Sequence, residues 1–215
     1  MSDAAAAWDA PEAAAGSDPD QRVILYGVDW EGYEAVLRAV GADRGGVRVT
    51  YLEGALEIMT LSGGHEVHKK ILARLLEAWA VETRTVLNGY GSTTYRKRVK
   101  DRGAEPDESY VLSDRVLDET KGDAPDLVIE VIWTHGGLDK LAVYSGLGVP
   151  EVWLWRKGRV DVYRLRGERY EKLERSELLP DVDLDVLTPF LDRSDQTQAV
   201  IEYVDALRER SGRQP

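Results

Sequence analysis

Between Leu127 and Trp133 the chain is apolar at every position except one, Glu130. A short continuous apolar run of this kind, entered through Ala124-Pro125-Asp126 and left through Gly136-Gly137, reads as a buried central strand. Charged side chains are rarely fully buried unless they are paired or bound to metal, and an uncompensated anion inside a sheet is costly. Glu130 therefore marks either a strand-end carboxylate paired with a lysine or arginine, or a place where chemistry is done.

The elements around this strand follow from their periodicities. Trp30–Val40 has helical spacing and stops at Gly41. Val47–Leu52 and Ala55–Thr60 alternate as two strands joined by Glu53-Gly54. A long amphipathic helix runs from about His65 to about Ala80, with Ile71, Leu72, Leu75, Leu76 and Trp79 on one face. Asn88–Tyr95, Asp107–Leu112 and Leu127–Trp133 read as strands, and a helix follows from about Leu138 to Leu147 before Gly148. Glu151–Trp155, Arg159–Arg164 and Glu168–Leu173 form a meander with Lys157-Gly158 and Arg166-Gly167 turns, and Asp195–Arg210 is a last helix. No internal repeat is evident. The order predicts an α/β or α+β domain built on a single mixed β-sheet flanked by helices.

The 215 residues suit one domain with decorations. Residues 1–20 hold Asp3, Asp9, Glu12, Asp18 and Asp20 with no lysine or arginine, so they read as a disordered acidic tail. Residues 21–192 form the domain, and 193–215 a C-terminal helix and tail. The absence of cysteine excludes disulfides and thiolate metal sites. No apolar run reaches membrane-span length and the N-terminus lacks a secretory pattern, which places the expected location in the cytoplasm. A formal net charge of −11 argues against tight passive binding to nucleic acid, but not against an enzyme that uses one local basic strip and a metal.

Two further residues join Glu130. Asp107 opens the short strand Glu108–Leu112, and Lys140 lies ten positions after Glu130 at the start of the next helix. Two strand-borne carboxylates with a nearby ammonium suit metal-dependent phosphodiester cleavage, the carboxylates holding a hard divalent cation and the lysine steadying the nucleophile or the developing charge. Asp126 competes with Asp107, since both follow a proline. On one strand, however, positions 126 and 130 are separated by roughly 13 Å, too far to share an ion, so Asp126 reads as a hydrogen-bonding residue at the strand entry.

Seven runs occur in order: Tyr51–Met59, His65-Glu66, Gly91–Thr94, Glu105-Pro106-Asp107, Pro125–Val131, Gly137–Lys140 and Gly148–Trp153. Together they resemble the Uma-two family of bacterial restriction endonucleases, within the PD-(D/E)xK nuclease superfamily, over about Tyr26 to Leu191. It implies a restriction-endonuclease-like core, DNA as substrate, and Mg²⁺ or Mn²⁺ as cofactor. It gives Asp107 the aspartate role, Glu130 the glutamate role, and Glu66 a weaker acidic role on the long helix. The superfamily's usual lysine position, two after the glutamate, is Ile132 here. The family moves that lysine onto the following helix, which points to Lys140. A catalytically silent binding or assembly module on the same fold is the alternative, and a homodimer is left open.

Other signals are weaker. His65-Glu66-Val67-His68 is one residue short of a zinc-protease signature, whose histidines stand four apart. His65 is expected to cap its helix or touch the rim of the site. The run Arg96-Lys97-Arg98-Val99-Lys100 is either a solvated hairpin tip or a phosphate-steering edge. Trp153 and Trp155 share one strand face and are expected to pack under a helix rather than stack bases. The glycines at 136 and 137 would let the chain turn so that Lys140 swings back toward Glu130.

Overall fold

The computed structural model of the chain describes residues 20–41, 46–118, 121–132 and 137–212. The expectations for residues 1–19, Trp133, His135 and Gly136 lie outside the described residues.

Two sheets are formed instead of the expected single one. The first contains β1 (Gln21–Tyr26), β2 (Val47–Leu52), β3 (Ala55–Thr60), β5 (Tyr95–Lys97) and β6 (Arg102–Ala104) in the order β1-β3-β2-β6-β5. The second contains β4 (Asn88–Gly89), β7 (Glu108–Val111), β8 (Leu127–Val131), β9 (Glu151–Arg156), β10 (Arg159–Arg166) and β11 (Arg169–Leu173) in the order β11-β10-β9-β8-β7-β4. The chain leaves the first sheet for the second across Glu105-Pro106-Asp107, where Pro106 has no N–H to extend a ladder.

Among the described residues only β8 and β9 pair in parallel, and a parallel pair needs a crossover. That crossover contains α3 (Lys140–Leu147), capped at its start by the Asp139 side chain and ended by left-handed Gly148. The helix packs against β2, β5 and β6 of the first sheet and β11 of the second. It therefore lies between the sheets, and its first residue emerges where β8 ends.

Side-chain parity divides the second sheet's two faces. Leu127, Ile129, Val131, Trp153, Trp155, Val160 and Val162 form one core with α2 (Gly63–Thr83) and α4 (Gln196–Arg210). Trp153 and Trp155 are thus core residues under a helix, as their spacing predicts. The C-terminal helix belongs to this core through Ala199 and Tyr203. Val128, Val152 and Leu154 face the other way, onto Val143, Tyr144 and Leu147 of α3. Glu130 has their parity, so it points into the layer between the sheets. The far face of the first sheet is covered by α1 (Trp30–Val40), where Tyr33 stacks on Tyr51 at 4.8 Å between ring centroids. Among the described residues no helix is long and apolar enough to cross a membrane.

Candidate active site

The β7–β8 register pairs Glu108 with Ile129 and Ser109 with Val128. Continued by one residue, it sets Asp107 opposite Glu130 on the inner face. The backbone confirms the juxtaposition, because Val131 N–H donates to Asp107 Oδ2 at 2.8 Å. Both side chains are nearly inaccessible, at 1% and 2% exposure.

Lys140 closes the group. Its Nζ lies 3.2 Å from Glu130 Oε1 and donates to Thr50 Oγ1 of β2 at 3.1 Å. The Tyr144 hydroxyl, one helical turn further along α3, donates to the same Glu130 oxygen. The turn into α3 is tight. A Cβ on Gly137 would stand 2.6 Å from Glu57 Oε2 and collide with the Arg22 guanidinium. The absent side chain lets Leu138 N–H donate to Glu57 Oε2 at 3.0 Å, which anchors the helix start above the first sheet.

His65 sits deeper than a rim residue. It is buried, with Nε2 2.9 Å from Asp107 Oδ2 and Nδ1 3.0 Å from Asp20 Oδ2. The Nε2 approach lacks the in-line angle of a good hydrogen bond and is better described as an ion-pair contact. Asp20 in turn accepts Ser62 N–H at 2.8 Å, and Ser62 caps α2. Asp20 therefore does not share the loose character expected of the acidic tail.

The charges adjust one another. Burial works against a charged His65, but Asp107 and Asp20 on either side outweigh it and lift its pKa to about 9. Burial alone would raise Asp107, yet His65, the Val131 N–H and Lys140 bring it below the usual carboxylate range. Burial and the neighbouring Asp107 charge push Glu130 up, against the pull of Lys140 and Tyr144. Burial penalises the Lys140 ammonium, but Glu130, Glu57 and Asp107 together more than compensate and raise its pKa.

A cavity of about 330 Å³ opens onto this cluster, lined among others by Asp20, Arg22, Glu57, Glu130, Lys140 and Arg156. Asp20 and Glu57 are the site members that sequence reasoning missed. Glu57 is buried at the β3 position paired with Thr50, and it lies 3.7 Å from the Arg22 guanidinium. Its available signal was a single carboxylate in Ala55–Thr60, on the face opposite Leu56.

Other expected residues lie elsewhere. Glu66 follows His65 by about 100° of helix rotation, so it turns outward, 46% exposed, and pairs with Lys69 at 3.4 Å. Asp126 accepts Leu112 N–H at 2.8 Å and pairs with Arg115 at 2.8 Å, the hydrogen-bonding role expected at the strand entry. The basic run forms the tip of the β5–β6 hairpin. There Arg96 pairs with Glu34 at 3.5 Å, Arg98 with Glu31, and Lys100 with Glu168 at 3.5 Å, while Lys97 is half-buried beside them. These cations face acidic side chains of α1 and the β10–β11 turn.

The family model Uma2, described as "Putative restriction endonuclease", matches residues 30–194 of this chain. No curated protein matches the sequence. Among solved structures, the chain is similar to a "putative nuclease" from Anabaena variabilis. The identity is 19%, the alignment covers 73% of this chain and 90% of that one, and the TM-score is 0.42.

Proposed function

The chain belongs to the Uma2 family, and from that premise we propose that it is a metal-dependent endonuclease that hydrolyses phosphodiester bonds in DNA, centred on Asp107, Glu130 and Lys140. The observation that carries the reading is the placement of Lys140 Nζ 3.2 Å from a carboxylate buried in a central strand, with Asp107 on the same face. Glu130 and Lys140 line the cavity, and Asp107 lies buried behind them, held by the Val131 N–H.

The donor set fits a hard divalent cation. Asp107 and Glu130 offer carboxylate oxygens; burial first and the Asp107 charge second raise Glu130, and a dication offsets both. Among the described residues no three His, Asp or Glu side chains form a ready-made metal cage. Mg²⁺ commonly uses one or two carboxylates and completes its shell with water and substrate phosphate. Asp107 and Glu130 would hold the ion, and when bound it would lower the pKa of a coordinated water and neutralise charge on the scissile phosphate.

The remaining work falls to the chain. The His65 imidazolium fixes Asp107 from one side and the Val131 N–H from another, so the carboxylate is preoriented. Tyr144 steadies Glu130. Lys140 has a flexible stem and can share its ammonium between Glu130 and a phosphate oxygen that gains charge in the transition state. One observation favours a silent module instead: both carboxylates already have partners within the chain.

Incubating the purified chain with supercoiled plasmid and Mg²⁺ or Mn²⁺ tests the proposal. Nicking is expected, and its loss in Asp107→Asn and Glu130→Gln variants that circular dichroism shows to be folded at the assay temperature. Absence of cleavage with either ion supports the silent module. Equal cleavage by wild type and Asp107→Asn identifies a contaminant and overturns the assignment.

A further inference from the structure

A second cavity, of about 530 Å³, adjoins the first and shares Ile132, Arg156 and Tyr163 with it. Its other lining residues are Lys157, Arg159, Asp161 and Lys172. Four cations thus surround one carboxylate on a protein whose formal net charge is −11. Asp161 is 4% exposed and gathers three of them: Lys172 at 2.8 Å, Arg159 at 2.9 Å and Arg156 at 3.1 Å. The cations themselves remain open to solvent, with Arg159 71%, Lys172 50% and Arg156 41% exposed. Asp192 lies beside the Lys157-Gly158 turn and is engaged by His68 at 3.2 Å.

Strand register ties this patch to the site. Glu130 pairs with Leu154, and Leu154 with Asp161. The three residues form one row across β8, β9 and β10 on the same face. Two strand spacings separate its ends, so Asp161 lies ~10 Å from Glu130. The adjacent rows carry the cations, with Arg156 opposite Arg159 and Lys172 opposite Tyr163. The basic face and the carboxylate face are therefore one continuous surface of the second sheet.

We propose that this face, through Lys157, Arg159, Arg156 and Lys172, holds the phosphodiester backbone of a DNA strand that continues to the scissile phosphate at Glu130 and Lys140. The proposal rests on the endonuclease reading and names the surface that reading requires. DNA presents a phosphate every ~3.4 Å of axis per strand, so ~10 Å covers about three nucleotides. A guanidinium has five donors, and Asp161 occupies only part of each set, leaving N–H groups to engage phosphate oxygens. The buried carboxylate acts as a peg that points the cations outward. This basic cluster adjoins the cavity, whereas the 96–100 tip faces acidic side chains.

The test is the salt dependence of DNA binding by the full chain, measured by fluorescence anisotropy of a labelled duplex in EDTA so that no cleavage intervenes. Each phosphate neutralised contributes about 0.9 to the slope of log affinity against log salt. The Lys157→Gln/Arg159→Gln variant keeps Arg156 and Lys172 on Asp161. It should lower the slope by about 1.8, equally for unrelated sequences, with an unchanged melting temperature. The single variant Lys157→Gln should lower it by about 0.9 if the double one does not fold. Arg96→Gln/Arg98→Gln removes the same charge and should leave the slope as in wild type. An equal fall in that control, an unchanged slope in the test variant, no binding by wild type at low salt, or tighter binding of the matching RNA each overturns the proposal. Binding with the expected slopes but without cleavage would sink the endonuclease reading and keep the surface. Cleavage with an unaltered slope would do the reverse.

Discussion

Glu130 and Glu151 are buried carboxylates on the neighbouring parallel strands β8 and β9, and they are satisfied in opposite ways. Glu151 accepts from four neutral donors: the Trp153 indole at 2.8 Å, the Ser176 hydroxyl, and the N–H groups of Glu177 at 3.0 Å and Leu178 at 3.2 Å. It pins the segment after β11 onto the sheet. Glu130 meets one hydroxyl and one ammonium, and it faces a second carboxylate. The first arrangement is a closed account of hydrogen bonds. The second depends on a single buried ammonium and has like charge beside it. If the proposed function holds, burial is a poor guide to which acid does chemistry, and the type of partner is the better one.

The largest effect that could break this contrast comes from Lys140. Replacing it with Met should lower the cleavage rate by ~3–4 kcal/mol of barrier, some two to three orders of magnitude, with little change in metal affinity. Adding Ile132→Lys should restore part of the rate, because position 132 adjoins the same face. Wild-type turnover by Lys140→Met in a nicking assay would show that the ammonium near Glu130 is an ordinary buried ion pair.

Glu151 supplies the converse. Glu151→Ala leaves buried donors without an acceptor and should cost about 3 kcal/mol of unfolding free energy by denaturant titration. Whatever protein still folds should cleave normally. Loss of activity at unchanged stability would place Glu151 on the wrong side of the comparison.

The smallest effect concerns pH. His65 has its pKa raised to about 9 in the folded chain against 6.5 for the free side chain, so its charged form stabilises the fold. That contribution is complete below about pH 6.5 and fades as pH rises to about 9. The metal-free protein should lose roughly 5–10 °C in melting temperature across this window, a fall that His65→Gln abolishes. An identical pH profile in the variant would show that the imidazole is neutral between Asp20 and Asp107.

Much of this arrangement was legible because it is local. Val47–Leu52, Ala55–Thr60, the apolar face of α2 and the central strand Leu127–Val131 show their periodicities directly. Lys140 and Asp107 were readable through their motifs. The strand Gln21–Tyr26 was not, because it is an edge strand. Val23, Leu25 and Tyr26 point outward while Arg22 turns toward Glu57, so the apolar residues mark no buried face. The split into two sheets was hidden for a related reason, since β5 and β6 lie within or against a highly charged run that reads as a turn. Asp20 and Glu57 stayed invisible because their roles are set by partners 45 and 81 positions away in the chain.

Those separations have a consequence for the order of folding. The cluster is joined by Lys140 to Thr50 across 90 positions, Leu138 to Glu57 across 81, and His65 to Asp20 across 45. Such contacts form late, after the entropy of closing long loops has been met. Neither sheet alone contains the cluster, and no amino-terminal fragment ending before α3 brings in the lysine. For an enzyme of the proposed kind, the ability to cut would arrive with the final docking of the two sheets. A nascent or partly unfolded copy would be harmless to the genome of the cell that makes it.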